Sequence, residues 1–341
     1  MEFKSSKIKW LIPLLIGCLV AVSGWWYSQG GNKLLNPGAV HRVVELPYAK
    51  LSFTRLAERE RVIGTIEVGR LVAETPEYTS YIFYYYSGGK KISGQLNMPA
   101  MTAGNKTPVI VMARGYVAKE DYKTGVGTKN AAAVYASHGY ITIAPDFLGY
   151  GESEMEDTDS MGARLYRPVE ILDLLSSLSS LPQADTGHVY LWGHSNGGQI
   201  MLSVAEILGK SSLQGSSLKV RGMVLWAPVS KPFPFNLLAF SDEADDQGKL
   251  LRKVVSDFET NYDVFDYSID RYWDWINVPI QLHQGTADPE VAKVWSDDLV
   301  KTLKAKGKDI TYYLYPGADH NLRPGWDMVV TRDVAWFDKL K

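Results

Sequence analysis

The chain predicts an α/β fold: a mostly parallel central sheet with helices on both faces, N-terminal antiparallel strands and a cap insertion. Three observations predict it. From Pro108 onward short apolar runs alternate with helical patterns, the rhythm of crossover connections in a parallel sheet. Ahead of these, two strand-like runs face each other across a glycine turn. The segment from about 229 to 278 breaks the rhythm, being long for a connection and rich in aromatic residues. The length of 341 residues and the 45% hydrophobic content suit one large domain with small additions.

In chain order, Lys4, Lys7 and Lys9 precede an uncharged run from Trp10 to Tyr27, and the next charge is Lys33. That run is near the short end of the roughly 17 to 25 residues a spanning helix needs. Trp25, Trp26 and Tyr27 have the character of an interfacial belt. Residues 1–27 are therefore expected to be a membrane anchor or signal segment outside the fold, with the remainder extracytoplasmic. Two other readings stay open: a lipoprotein box ending at Cys18, and a cleavage site at Ala21-Val22-Ser23 that would release a secreted chain.

Residues 28–63 read as linker and irregular lead-in, with Gly30, Gly31, Pro37 and Pro47 as breakers, and 64–341 as the folded domain. Residues 81–86, the turn 87–90 and residues 92–98 predict an antiparallel edge hairpin whose tyrosines alternate between faces. Strands are then expected at 109–113, 140–144, 189–192, 222–227, 279–283 and 310–315, and helices at about 129–137, 168–181, 291–306 and 331–340. Pro168 is taken as the first residue of its helix. In the insertion, Asp242, Glu243, Asp245 and Asp246 are read as a solvated helix cap ahead of a metal or basic-substrate site.

The formal charge of −2 gives no reason to expect nucleic acid as a partner, and the single cysteine, Cys18, leaves the folded part without a disulfide or thiolate metal site. Gly125-Val126-Gly127-Thr128-Lys129 lacks the spacing of a phosphate loop. No cofactor is expected.

The most informative stretch changes period halfway. Val189, Tyr190, Leu191 and Trp192 form a buried strand, whereas Ile200, Met201, Val204, Ala205 and Leu208 recur at helical spacing. Between them lies Gly193-His194-Ser195-Asn196-Gly197. A strand reversing into a helix within five residues crowds its backbone, so glycines two before and two after the turning residue relieve the clash. Ser195 is left exposed on a nucleophile elbow. A serine hydroxyl needs a base, and the base an orienting acid. Of six histidines only His320 falls in a polar loop at the carboxyl edge of the predicted sheet, between the last strand and the last helix. His41, His138, His188 and His283 are set aside by position, and His194 is expected to point away from Ser195. Asp288 follows the strand 279–283 and reaches the same edge. Asp146, read as a turn former, and Asp319, too close to His320, compete less well. The N–H of Asn196 is expected to receive the developing oxyanion, with Tyr116 in the loop after the strand 109–113 as second donor.

These motifs resemble the α/β-hydrolase superfamily, from about Glu77 to the C-terminus, and within it prolyl oligopeptidase-type serine peptidases and their dienelactone-hydrolase-like relatives. The matching pieces are Arg114-Gly115-Tyr116, the stretch from Pro145 to Ser153, Gly193 to Gly198, Gln284 to Asp288, and Gly317 to His320. The resemblance implies the α/β-hydrolase fold and serine hydrolase chemistry on an ester or peptide, with Ser195, Asp288 and His320 as the triad. Two departures leave room for an esterase: too few residues precede the fold for the β-propeller usual in such peptidases, and Arg114 replaces the usual histidine of the oxyanion loop. A binding module of this fold with its chemistry lost is the remaining alternative. Nothing in the sequence fixes the oligomeric state.

Overall fold

A computed structural model describes residues 46–100, 106–156, 159–211, 218–243 and 246–341. The expected anchor, Cys18 and Asp245 lie outside the described residues, as does the Glu243 side chain. Among the described residues no helix is long and apolar enough to cross a membrane.

Nine strands form one sheet in the order β1-β2-β3-β5-β4-β6-β7-β8-β9. They are β1 (Glu67–Glu74), β2 (Tyr78–Ser87), β3 (Lys90–Pro99), β4 (Thr107–Ala113), β5 (Ile141–Pro145), β6 (Ala184–His194), β7 (Val220–Trp226), β8 (Ile280–Gly285) and β9 (Ile310–Tyr315). The first three pair antiparallel and β3 joins β5 antiparallel, while every pairing from β5 through β4 to β9 is parallel. The α/β fold with N-terminal antiparallel strands is thus the one the sequence predicts. The tyrosine hairpin, however, is not the edge. The strand β1 covers β2 from outside, with all eight of its residues exposed.

The helices are α1 (Phe53–Glu58), α2 (Lys129–Ser137), α3 (Ser160–Ser177), α4 (Asn196–Lys210), α5 (Phe235–Leu238), α6 (Lys249–Glu259), α7 (Lys293–Ala305) and α8 (Trp326–Lys339). Two apolar layers flank the sheet: one gathers Val109, Val111, Leu172, Leu175, Met201 and Val204, the other Met112, Tyr135, Tyr140, Trp192 and Phe337. Such close-packed layers hold the strand ends in fixed register, which is what a site assembled from several loops requires.

Three elements differ from the sequence reading. Helix α3 begins at Ser160, eight residues before Pro168, because the Asp159 side chain accepts the Gly162 N–H and caps the first turn. Pro168 sits inside the helix, removing the hydrogen bond that Arg164 O would otherwise accept. Part of the lead-in is core: Leu51, Phe53, Leu56 and Ala57 are buried, with Ser52 capping α1. Helix α8 starts five residues earlier than its apolar periodicity suggests. The segment between β7 and β8 holds α5, α6 and short 3-10 turns. It buries Phe233, Leu237, Phe258, Tyr267, Ile269 and Trp273 in the larger apolar layer. Both carboxylate oxygens of Asp246 accept backbone N–H groups at the start of α6, from Gly248 and Leu250, so this acid does serve as a helix cap.

Candidate active site

The sheet order places the site. From β4 the chain crosses first to β5 on one side and then to β6 on the other, so the crevice outside the carboxyl ends of β4 and β6 is a topological switch point. The loop after β4 carries Arg114, Gly115 and Tyr116, and the turn after β6 carries Ser195.

Ser195 has φ 56° and ψ −123°, a strained backbone that caps the N-terminus of α4. It is fixed from both sides: its N–H donates to Trp226 O at 2.9 Å and its carbonyl accepts from Val229 N at 3.0 Å. The flanking glycines are close-approach residues. A Cβ on Gly193 would stand 2.5 Å from Gly197 O, and one on Gly197 would overlap Ala113 O.

Asp288 and His320 come together from the loops after β8 and β9. His320 Nδ1 lies 2.9 Å from Asp288 Oδ2, which puts the ring proton on Nδ1 and leaves Nε2 with its lone pair free to accept a proton. Asp288 Oδ1 accepts from Glu290 N and Val291 N, each at 2.9 Å, and Oδ2 also accepts from Gln284 Nε2 at 3.0 Å. Burial alone would raise the Asp288 pKa, but the His320 bond and these N–H groups hold it below the usual carboxylate value. The two loops are stitched together through Ala287 N–H to Ala318 O at 3.0 Å and Gly317 N–H to Thr286 Oγ1 at 2.8 Å. Asp319 turns into its own loop, accepting from Asn321 N and Arg323 N.

His194 is the residue that sequence reasoning undervalued. Its ring lies 4.6 Å from that of His320, and its Nε2–H donates to His320 O at 2.9 Å, so the residue beside Ser195 helps hold the His320 loop. Burial, with the neighbouring His320, pushes its pKa down to about 4, which keeps it neutral at physiological pH. No hydrogen bond joins Ser195 Oγ to His320 in this state. Nε2 stands instead 3.6 Å from Glu290 Oε2, and catalytic contacts often tighten only on substrate binding.

Arg114 sets the course of the loop that carries Tyr116. This buried guanidinium is sandwiched 4.3 Å from Tyr122 and 4.1 Å from Tyr150 and donates to Gly115 O at 2.9 Å and Asp146 O at 3.2 Å. Because a trans peptide opposes its C=O and N–H, anchoring Gly115 O turns the Tyr116 N–H the other way. A Cβ on Gly115 would stand 3.0 Å from Ser195 Cβ, so the loop runs against Ser195. The Tyr116 side chain is 75% exposed. Neither the Tyr116 N–H nor the Asn196 N–H has an acceptor among the described residues. Asp146 is no mere turn former. Fully buried, it accepts from Ser93 Oγ at 2.5 Å, Tyr122 OH at 2.6 Å and Thr124 Oγ1 at 2.8 Å, tying the β5 loop beneath Arg114.

A cavity of about 270 Å³ opens beside Gly115 and Asn196. Its apolar wall includes Leu51, Phe53 and Leu56 from the lead-in and Phe233 and Leu237 from the insertion.

A serine on a strained strand-to-helix turn, with an Asp–His pair at the same rim of a mostly parallel sheet, is the layout of nucleophile-elbow hydrolases. The chain belongs to the alpha/beta hydrolase family, which residues 120–338 match. It is 24% identical over 229 residues to dipeptidyl peptidase family member 6 of Caenorhabditis elegans, covering 67% of this chain and 30% of that one. It thus spans under a third of that relative. Among solved structures it resembles acetyl xylan esterase 1 from Thermoanaerobacterium (TM-score 0.60, 15% identity, 84% of this chain and 92% of that one). It also resembles the Pyrococcus horikoshii acylaminoacyl peptidase (TM-score 0.55, 16% identity, 83% and 51%). These likenesses show the fold.

Proposed function

We propose that this hydrolase is a serine hydrolase that cleaves an ester or amide bond through an acyl-enzyme on Ser195. The observation that carries the reading is the strained Ser195 elbow at the same sheet edge as the bonded Asp288–His320 pair. In this mechanism His320 Nε2 takes the Ser195 proton as Oγ attacks the carbonyl carbon, and Asp288 holds the tautomer and stabilises the imidazolium. The N–H groups of Asn196 and Tyr116 receive the oxyanion. His320 then gives its proton to the leaving alcohol or amine, and water resolves the acyl-enzyme with His320 again as base.

The peptidase reading is supported by the similarity to dipeptidyl peptidase family member 6. An esterase reading is favoured by the cavity itself: Glu156 is the one carboxylate lining it, and it is already paired with Arg167 and Lys119. A peptidase gripping a free α-ammonium would need an unpaired carboxylate there. Residues 229–278 serve in this reading as the cap over the cavity, and residues 1–27 as a membrane anchor that would keep the chain in the pellet on alkaline extraction.

The test is Ser195→Ala. It is expected to abolish hydrolysis of 4-nitrophenyl esters and labelling by a fluorophosphonate while the circular dichroism spectrum stays native. Retained turnover removes Ser195 from the mechanism, and an unlabelled wild-type Ser195 favours a silent binding module. Parallel assays on aminoacyl and prolyl amides separate peptidase from esterase.

A further inference from the structure

Four cations and one carboxylate line the cavity beside Ser195. Three of the cations are already occupied. Arg114 is sandwiched between tyrosines and bonded to two carbonyls, Lys119 Nζ lies 3.5 Å from Glu156 Oε2, and Arg167 pairs with Glu156 and, at 3.0 Å, with Glu170. Arg164 is different. It lines the cavity and is exposed, yet among the described residues no hydrogen bond or ion pair engages it. It projects from the turn of α3 whose regular hydrogen bond Pro168 removes, and both residues line the cavity. The surrounding walls, and the like charge of Arg167, lower its pKa. An arginine that lines a cavity without a counter-charge is suited to bind a carboxylate in a bidentate fork.

We propose that the cavity takes a substrate whose acyl part carries a carboxylate, and that Arg164 is the residue that grips it. The proposal rests on the serine hydrolase reading for the bond that is cleaved. The carboxylate meets the guanidinium at the mouth, the carbon chain lies along Phe233 and Leu237, and the reacting carbonyl reaches the Gly115–Asn196 corner.

The experiment compares 4-nitrophenyl adipate monoester with 4-nitrophenyl hexanoate and 4-nitrophenyl 6-aminohexanoate, which share chain length and differ in terminal charge. In the wild type, kcat/KM is expected to favour the anionic ester over the neutral one by about tenfold, the scale of one charge-assisted contact open to water. Arg164→Gln should remove that ratio, Arg164→Lys should keep part of it, and Arg164→Glu should shift preference to the aminohexanoate. Ratios taken within one preparation are independent of how much of a variant folds. An anionic-to-neutral ratio unchanged in Arg164→Gln, or a wild type preferring the neutral ester, overturns the proposal. A second arm titrates monomethyl adipate and methyl hexanoate into Ser195→Ala by ligand-observed NMR. Tighter binding of the anion, lost with Arg164→Gln, supports the proposal even if no ester is turned over, an outcome that sinks only the hydrolase reading. Equal binding of both with turnover intact sinks only Arg164.

Discussion

Replacing Asp288 by Asn tests the site at its best-defined contact. The Asp288 carboxylate accepts four hydrogen bonds, two at Oδ1 from Glu290 N and Val291 N and two at Oδ2 from His320 Nδ1 and Gln284 Nε2. In Asp288→Asn the carbonyl oxygen keeps the two backbone donors, so the amide NH2 faces His320 and Gln284, both donors themselves. His320 can answer only by moving its proton to Nε2, the nitrogen that takes the Ser195 proton in the proposed mechanism. The expected loss in kcat is about 10⁴-fold, the scale of a triad held in the wrong tautomer. Stability should suffer far less. Gln284 Nε2 retains Gly285 O and Val291 O as acceptors, so the cost is about 1 to 3 kcal/mol for one crowded donor. The assay is kcat on a 4-nitrophenyl ester beside a urea unfolding curve. Activity within tenfold of wild type would refute the assignment of Asp288 and send the search to another acid.

Other substitutions probe the scaffold. Gly197→Ala drives a Cβ into Ala113 O, a backbone atom that cannot yield, and should destabilise by about 3 kcal/mol. A Tm within about 2 °C of wild type would show the elbow looser than its contacts indicate. Two buried groups give stability opposite slopes with pH. Burial, opposed by Arg167, pushes Glu170 up to about 7, so its contribution is full below pH 4.5 and is lost as pH rises towards 7. His194, pushed down to about 4, contributes fully above pH 6.5 and loses that as pH falls towards 4. Each span is on the order of 3 kcal/mol, and the two largely cancel between pH 4.5 and 6.5. Glu170→Gln should remove the first slope, so that unfolding free energy measured relative to wild type climbs with pH across this window. Identical pH dependence in variant and wild type would contradict the pairing.

How much was legible in the sequence depended on whether the signal was local. The elbow was, because reversing a strand into a helix forces glycine at 193 and 197. Asp288 and His320 were found from their positions after strands, since parallel topology sends all such loops to one edge. The bonds of Asp146 and His194 were not legible because they depend on partners away from each residue's own neighbourhood: Ser93, Tyr122 and Thr124 for one, His320 for the other. Pro168 misled because a proline reads as a helix start unless an earlier cap is recognised, and Asp159 is that cap. The cavity was invisible, since the contribution of Leu51, Phe53 and Leu56 emerges only once the lead-in folds back onto α4.

The backbone ties around the site run between strand ends and the loops after them: Ser195 N–H to Trp226 O, Ala227 N–H to His283 O, Ala287 N–H to Ala318 O. None of these three passes through the helical segment between β7 and β8, which meets the elbow at Val229. The backbone frame around Ser195 and the segment between β7 and β8 are therefore separable pieces of chain. A designer wishing to reshape one wall of the cavity has a replaceable module bounded by Val229 and Val278, provided its substitute brings equivalents of Phe233 and Phe258 to seal the sheet's larger apolar layer.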